Sequence, residues 1–94
     1  MTSNQPTILV IDDEAQIRKF LRISLLSQGY KVLEAATGGE GLSLAALSKP
    51  DLLVLDLGLP DMDGQHVLRE LREWSQVPVL VLSARGDETD KVRA

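Results

Sequence analysis

Apolar positions along the chain follow two rhythms. Ile8-Leu9-Val10-Ile11, Leu52-Leu53-Val54-Leu55 and Val79-Leu80-Val81-Leu82 are short runs without polar interruption. Runs of this length between turn residues read as strands buried on both faces, as parallel sheets require. They predict strands over Thr7 to Ile11, Leu52 to Asp56 and from Val79 to Leu82. A further strand, Tyr30 to Ala35, carries Lys31 and Glu34 and so belongs at an edge.

Between the strands the spacing becomes helical. Ile17, Leu21 and Leu25 stand four apart, with Phe20, Ile23 and Leu26 widening the stripe, which predicts a helix over Ala15 to Gln28 stopped by Gly29. Thr37-Gly38-Gly39-Glu40 has capping-box spacing before an Ala- and Leu-rich helix that ends near Ser48, ahead of Pro50. Val67, Leu68, Leu71 and Trp74 predict a third helix from Gly64 or Gln65 to Trp74, with Leu71 and Trp74 in the core. Asp87 to Ala94 reads as the opening of a fourth. Strand and helix alternate throughout, the pattern of an α/β fold with right-handed crossovers. Ligands in such sheets sit beyond the carboxyl ends of the strands, at the switch point between the first and third.

Both of those strands run into acid. Ile11 is followed by Asp12-Asp13-Glu14, and Leu55 by Asp56. A carboxylate at the end of a buried strand is costly unless something compensates it. Like charges about 4 Å apart repel by roughly 4 kcal/mol at an effective dielectric near 20, so neighbouring acids call for a cation. An all-oxygen donor set favours a hard ion, Mg²⁺ before Zn²⁺. Gly58, Pro60 and Gly64 then punctuate the loop after Asp56.

The remaining composition narrows the classes. Ninety-four residues with 44% hydrophobic content suffice for one small core. The net charge of −4 argues against nonspecific nucleic-acid binding. Without cysteine there is neither a disulfide framework nor a thiolate metal site. Met1 to Pro6 is a polar tail without the basic and apolar regions of a signal peptide, so a cytoplasmic location without membrane contact is expected.

With Asp12, Asp13, Asp56 and Ser83 at the ends of strands one, three and four, the sequence resembles the receiver domain of a bacterial two-component response regulator, of the OmpR/PhoB group. The resemblance rests on Val10-Ile11-Asp12-Asp13-Glu14, on Asp56-Leu57-Gly58-Leu59-Pro60-Asp61-Met62-Asp63-Gly64 and on Val79-Leu80-Val81-Leu82-Ser83-Ala84-Arg85. It implies a flavodoxin-like open parallel sheet of order 2-1-3-4, helices on both faces, and a signalling module, not a turnover enzyme. Asp56 would accept a phosphoryl group from a histidine kinase. Asp13, Asp56 and the Gly58 carbonyl would hold Mg²⁺, with Asp12 acting partly through water. Ser83 and the Ala84 N–H would contact phosphoryl oxygens.

The family pattern also has a fifth strand bearing a lysine, an aromatic switch residue and a fifth helix, and none of these falls within residues 1–94; Lys91 comes too early. The expectation is therefore a C-terminally incomplete receiver without a DNA-binding domain, impaired in phosphorylation. It should self-associate through the exposed edge of the fourth strand. A pseudo-receiver acting only through protein contacts is the alternative. A phosphatase with an aspartyl-phosphate intermediate is disfavoured, because the second residue after Asp56 is Gly58 and not an acid.

Several residues have plainer readings. Asp13 suits a helix N-cap partnered by Gln16. Asp61 and Asp63 partly mimic a calcium loop, but Leu59 stands at its first position, and Asp63 suits a helix cap. His66 reads as an exposed side chain, and Arg18, Lys19 and Arg22 as a solvated basic face that could meet a kinase.

Overall fold

The computed structural model describes residues 5–82. Within them the elements run β1 (Thr7–Ile11), α1 (Ala15–Ser27), β2 (Lys31–Ala35), α2 (Gly38–Ser48), β3 (Leu52–Asp56), α3 (Gly64–Arg72) and β4 (Val79–Leu82). All strand pairs are parallel, in the order β2-β1-β3-β4. The fourth helix expected from Asp87, with Ser83 and Ala84, lies outside the described residues.

The central strands bury residues on both faces because their side chains alternate between two cores. Leu9, Ile11, Leu53 and Leu55 join Ala35, Ala45, Val67 and Leu71 beneath α2 and α3. Ile8, Val10 and Val54 face the opposite way, toward Leu21, Leu25 and Tyr30. Each fully buried Leu or Ile contributes about 1.5–3 kcal/mol relative to exposure. The register sets Ile11 beside Leu55, so β1 and β3 end together and the residues that follow share one edge of the sheet.

The ends of the helices follow local chemistry. Gln28 closes α1 and Gly29 takes φ +90°, the left-handed backbone that glycine accepts without strain. At α2 the Thr37 hydroxyl accepts from Glu40 N at 3.1 Å. The return bond of the expected capping box goes one residue further back, from Ala36 N to Glu40 Oε1 at 3.0 Å. Asp63 caps α3 by accepting from Gln65 N at 3.1 Å.

Three expectations about packing are corrected. Phe20, Ile23 and Leu26 do not join a broad buried stripe: they are 67%, 54% and 51% exposed, because α1 rests on β1 and β2 only along the Leu21–Leu25 line. Helix α3 ends at Arg72, and the N–H groups of Trp74 and Ser75 fold back on the Leu71 carbonyl, which leaves Leu71 buried but Trp74 half exposed. Tyr30 precedes β2, which begins at Lys31. The basic face of α1 is also only partly solvated: Arg22 Nη1 meets Glu34 Oε2 at 2.6 Å, and Arg18 Nε lies 3.4 Å from Glu34 Oε1.

Candidate acidic site at the carboxyl edge

Asp12 follows β1 directly, held by its N–H to the Ala35 carbonyl at 3.0 Å. Its carboxylate turns back, and Oδ1 accepts from Glu14 N at 2.8 Å. That bond overturns the reading of Asp13 as helix cap: Glu14 is the N-cap residue of α1, without a side-chain cap bond, and Asp13 is exposed. Arg18, one turn into α1, donates from Nη1 to the Asp12 carbonyl at 2.6 Å and so fixes the bend from strand to helix.

Asp56 ends β3 and is buried, and its Oδ1 accepts weakly from Gly58 N at 3.3 Å. Gly64 closes the loop that follows, donating to the Leu57 carbonyl at 3.1 Å. A Cβ on Gly64 would lie 2.7 Å from the Leu57 Cα and 3.2 Å from the Asp56 carbonyl oxygen. Only a bare Cα lets α3 start so close to the backbone that carries Asp56.

These placements bring Asp12, Asp13 and Asp56 together, with one carboxylate oxygen from each within 4.8 Å of the others. Asp12 and Asp56 are 2% and 4% exposed, while Asp13 is open to solvent. Burial pushes the Asp12 carboxyl above its ordinary range; the hydrogen bond from Glu14 opposes the rise, and the charges of Asp56, Asp13 and Glu14 add to it. Two buried carboxylates and an exposed third, all hard oxygen donors, are a donor set that fits a divalent ion such as Mg²⁺. Beside the cluster a hollow of about 490 Å³ is lined by Asp12, Glu14, Ile17, Phe20, Leu21, Asp56 and Leu82.

The other acids of the long loop have different tasks. Asp63 caps α3, and Asp61 accepts from two backbone amides of α2, so both carboxylates of the rejected calcium-loop reading already have amide partners. The task of Asp61 was not read from the sequence; the faint signal was a paired glycine, Gly38-Gly39, with no side chain to block an approaching loop. His66 Nε2 lies 2.7 Å from Glu70 Oε2 one turn along α3, away from any catalytic arrangement. Ser83 and Ala84 fall outside the described residues.

Comparisons with known proteins bear on the family and the fold. The family model described as the response regulator receiver domain matches residues 8–94. The KDP operon transcriptional regulatory protein KdpE of Escherichia coli is 55% identical over 87 residues, covering 93% of this chain and 39% of that protein. The transcriptional regulatory protein KdpE of Mycobacterium tuberculosis is 56% identical over 87 residues, covering 93% of this chain and 38% of its own length. The chain thus spans well under half the length of these relatives. Among solved structures, the chemotaxis protein CheY4 of Vibrio cholerae superposes with a TM-score of 0.83 at 28% identity, over 89% of this chain and 72% of that one. The N-terminal domain of a response regulator receiver protein from Methanoculleus marisnigri also gives 0.83, at 32% identity over 90% and 72% of the two chains. A family match over nearly the whole length means that this chain belongs to the response regulator receiver domain family.

Proposed function

We propose that the chain is a phosphoacceptor receiver in which Asp56 takes a phosphoryl group from a phosphohistidine of a sensor kinase. The observation that carries this reading is the convergence of Asp12, Asp13 and Asp56 within 4.8 Å at one edge of the sheet. A carboxylate oxygen of Asp56 forms the new bond to phosphorus as the P–N bond of the donor breaks, and the histidine nitrogen leaves with the electron pair. Asp13, Asp56 and the Gly58 carbonyl would hold Mg²⁺, with Asp12 acting partly through water. The ion supplies charge neutralisation for the incoming phosphoryl oxygens. Ser83 and the Ala84 N–H would contact phosphoryl oxygens. Arg18 keeps Asp12 and Asp13 aimed at the edge through its bond to the Asp12 carbonyl.

Residues 1–94 form the receiver part of such a regulator, and control of transcription would pass through an effector domain outside them. No helix among the described residues is long and apolar enough to cross a membrane. Its chemistry is a single transfer and not turnover. Strand β4 stands at one edge of the described sheet with Leu80 and Val81 exposed, which favours self-association along that edge. Light scattering of a concentrated sample should then show dimers or larger species, and a clean monomer would contradict the edge pairing.

The deciding experiment is incubation with acetyl phosphate and Mg²⁺, read by intact mass and by hydroxylamine sensitivity, on this chain and on a version extended through a fifth strand. One phosphoryl adduct on the extended version, weak or missing on this chain and abolished by Asp56→Ala, is the expected result. An adduct that survives Asp56→Ala, or none on either wild-type form, would reject the assignment. The pseudo-receiver reading predicts no adduct on either form.

A further inference from the structure

Asp61 lies five residues beyond Asp56, yet its carboxylate points to a different element. Oδ1 accepts from Gly38 N at 2.8 Å and Oδ2 from Gly39 N at 2.9 Å. With the Thr37 hydroxyl on Glu40 N, the first three amides of α2 are all satisfied, two of them by a residue more than twenty positions away. Thr37 is thus a local cap and Asp61 a long-range one. The charge also sits at the favourable end of the helix dipole. Both amides hold the Asp61 carboxyl below its ordinary range.

The same approach is supported by packing. A Cβ on Gly38 would lie 2.6 Å from Met62 Cγ and 2.9 Å from Val67 Cγ2, so bare glycine lets the loop close on the helix. Leu59 and Met62 pack from above onto the core shared by α2 and α3. The segment between Asp56 and α3 is therefore fixed at its base by the Gly64–Leu57 bond and at its tip by Asp61, and exposed Gly58 lies between the two.

From this we infer that Asp61 is a positioning residue for the acidic site: by clamping the loop to the N-terminus of α2 it holds Gly58 in place beside Asp56. The inference rests on the reading of that cluster as the Mg²⁺ and phosphoryl site. A carboxylate is required because two adjacent N–H groups need two acceptor oxygens, whereas an amide side chain offers one acceptor and turns a donor toward the other N–H.

Two substitutions at the same helix end separate positioning from simple capping. Asp61→Asn and Thr37→Ala each remove a cap of α2, but only the first releases the loop. Mg²⁺ affinity, measured by titration calorimetry on the chain, should fall roughly tenfold in Asp61→Asn, as for groups that orient ligands without touching the ion. It should hold in Thr37→Ala. In metal-free protein the Gly64 amide should exchange faster with solvent in Asp61→Asn and at the wild-type rate in Thr37→Ala. Equal Mg²⁺ affinity in wild type and Asp61→Asn, or equal losses in both variants, would overturn the inference while leaving the acidic site intact. Absence of Mg²⁺ binding by the wild-type chain would remove the site reading and this inference with it.

Discussion

Replacing Asp12 by asparagine should make the metal-free protein more stable. Asp12 and Asp56 are both buried and have carboxylate oxygens within 4.8 Å, so the folded state carries a repulsion of about 3.5 kcal/mol at an effective dielectric near 20. The neighbouring Asp12–Asp13 repulsion persists in the unfolded chain and largely cancels, whereas the Asp12–Asp56 term exists only after folding. The amide keeps an acceptor for the Glu14 N–H, so the cap of the turn survives.

A gain of about 1–2 kcal/mol is expected, equivalent to roughly 5 °C in Tm per kcal/mol for a chain of this size. The pH dependence follows from the direction of the shift. The folded Asp12 carboxyl binds its proton more tightly than the unfolded one, with its ordinary value of 3.8. Wild-type stability therefore falls as pH rises from that value through the raised one, then levels off, and the substituted chain lacks this fall. Urea unfolding with chelator at acid and neutral pH measures the gap directly. Mg²⁺ should reverse the order, because an ion at about a hundred times its Kd stabilises the wild type by about 2.7 kcal/mol and the variant far less. A variant no more stable than wild type in chelator at neutral pH would refute the electrostatic reasoning, as would equal stabilisation of both chains by Mg²⁺.

Other outcomes can be checked by the same unfolding assay. Gly41→Ala places a Cβ against the Ile11 Cδ1 and 2.8 Å from its Cγ1, so overpacking of about 1–3 kcal/mol should exceed the helix-propensity gain, and Ile11→Val should relieve part of it in a double-mutant cycle. Lys49 closes α2 at φ 49°, and Lys49→Gly should stabilise by about 0.5–1 kcal/mol. Glu34→Gln loosens the partners of Arg18 and Arg22 together; the pairs are partly exposed, so the loss should stay below about 1 kcal/mol and shrink in salt. Asp61, whose carboxyl is held low by the Gly39 and Gly38 amides, contributes stability that is present above its ordinary value of 3.8 and lost as pH falls through its lower folded value. Asp61→Asn should flatten that acid limb.

What the sequence disclosed depended on the range of the interactions involved. The strands were legible because a run such as Leu52 to Leu55 is only stable when covered on both faces, and their observed limits agree with the expected ones to within a residue. The acids of the site were legible for the opposite reason, since Asp12 and Asp56 break those runs at positions where burial is expensive. Hydrophobic character alone did not reveal what covers it: Phe20 and Trp74 look like core residues but find no packed layer in the described fold. Long-range polar bonds were the least visible. Nothing local distinguishes Asp61 from Asp63, yet one caps its own helix and the other a helix that begins more than twenty residues earlier. The partner of Arg18 was hidden likewise, because Glu34 reaches that helix from strand β2.

The double-sided burial of β1 and β3 has a consequence for alignment of the strands. In a sheet with one wet face, sliding a strand by a single position exposes its greasy side and is forbidden by solvation. Here both sides are dry, and Leu52 to Leu55 could slip past Ile8 to Ile11 at little cost in hydrophobic contact. Asp12 and Asp56 act as end stops, since a shifted strand would drag a carboxylate into the dry interior. An apolar residue at either position would remove both the charge and the stop, and such a chain should yield several interconverting alignments where the native sequence holds one.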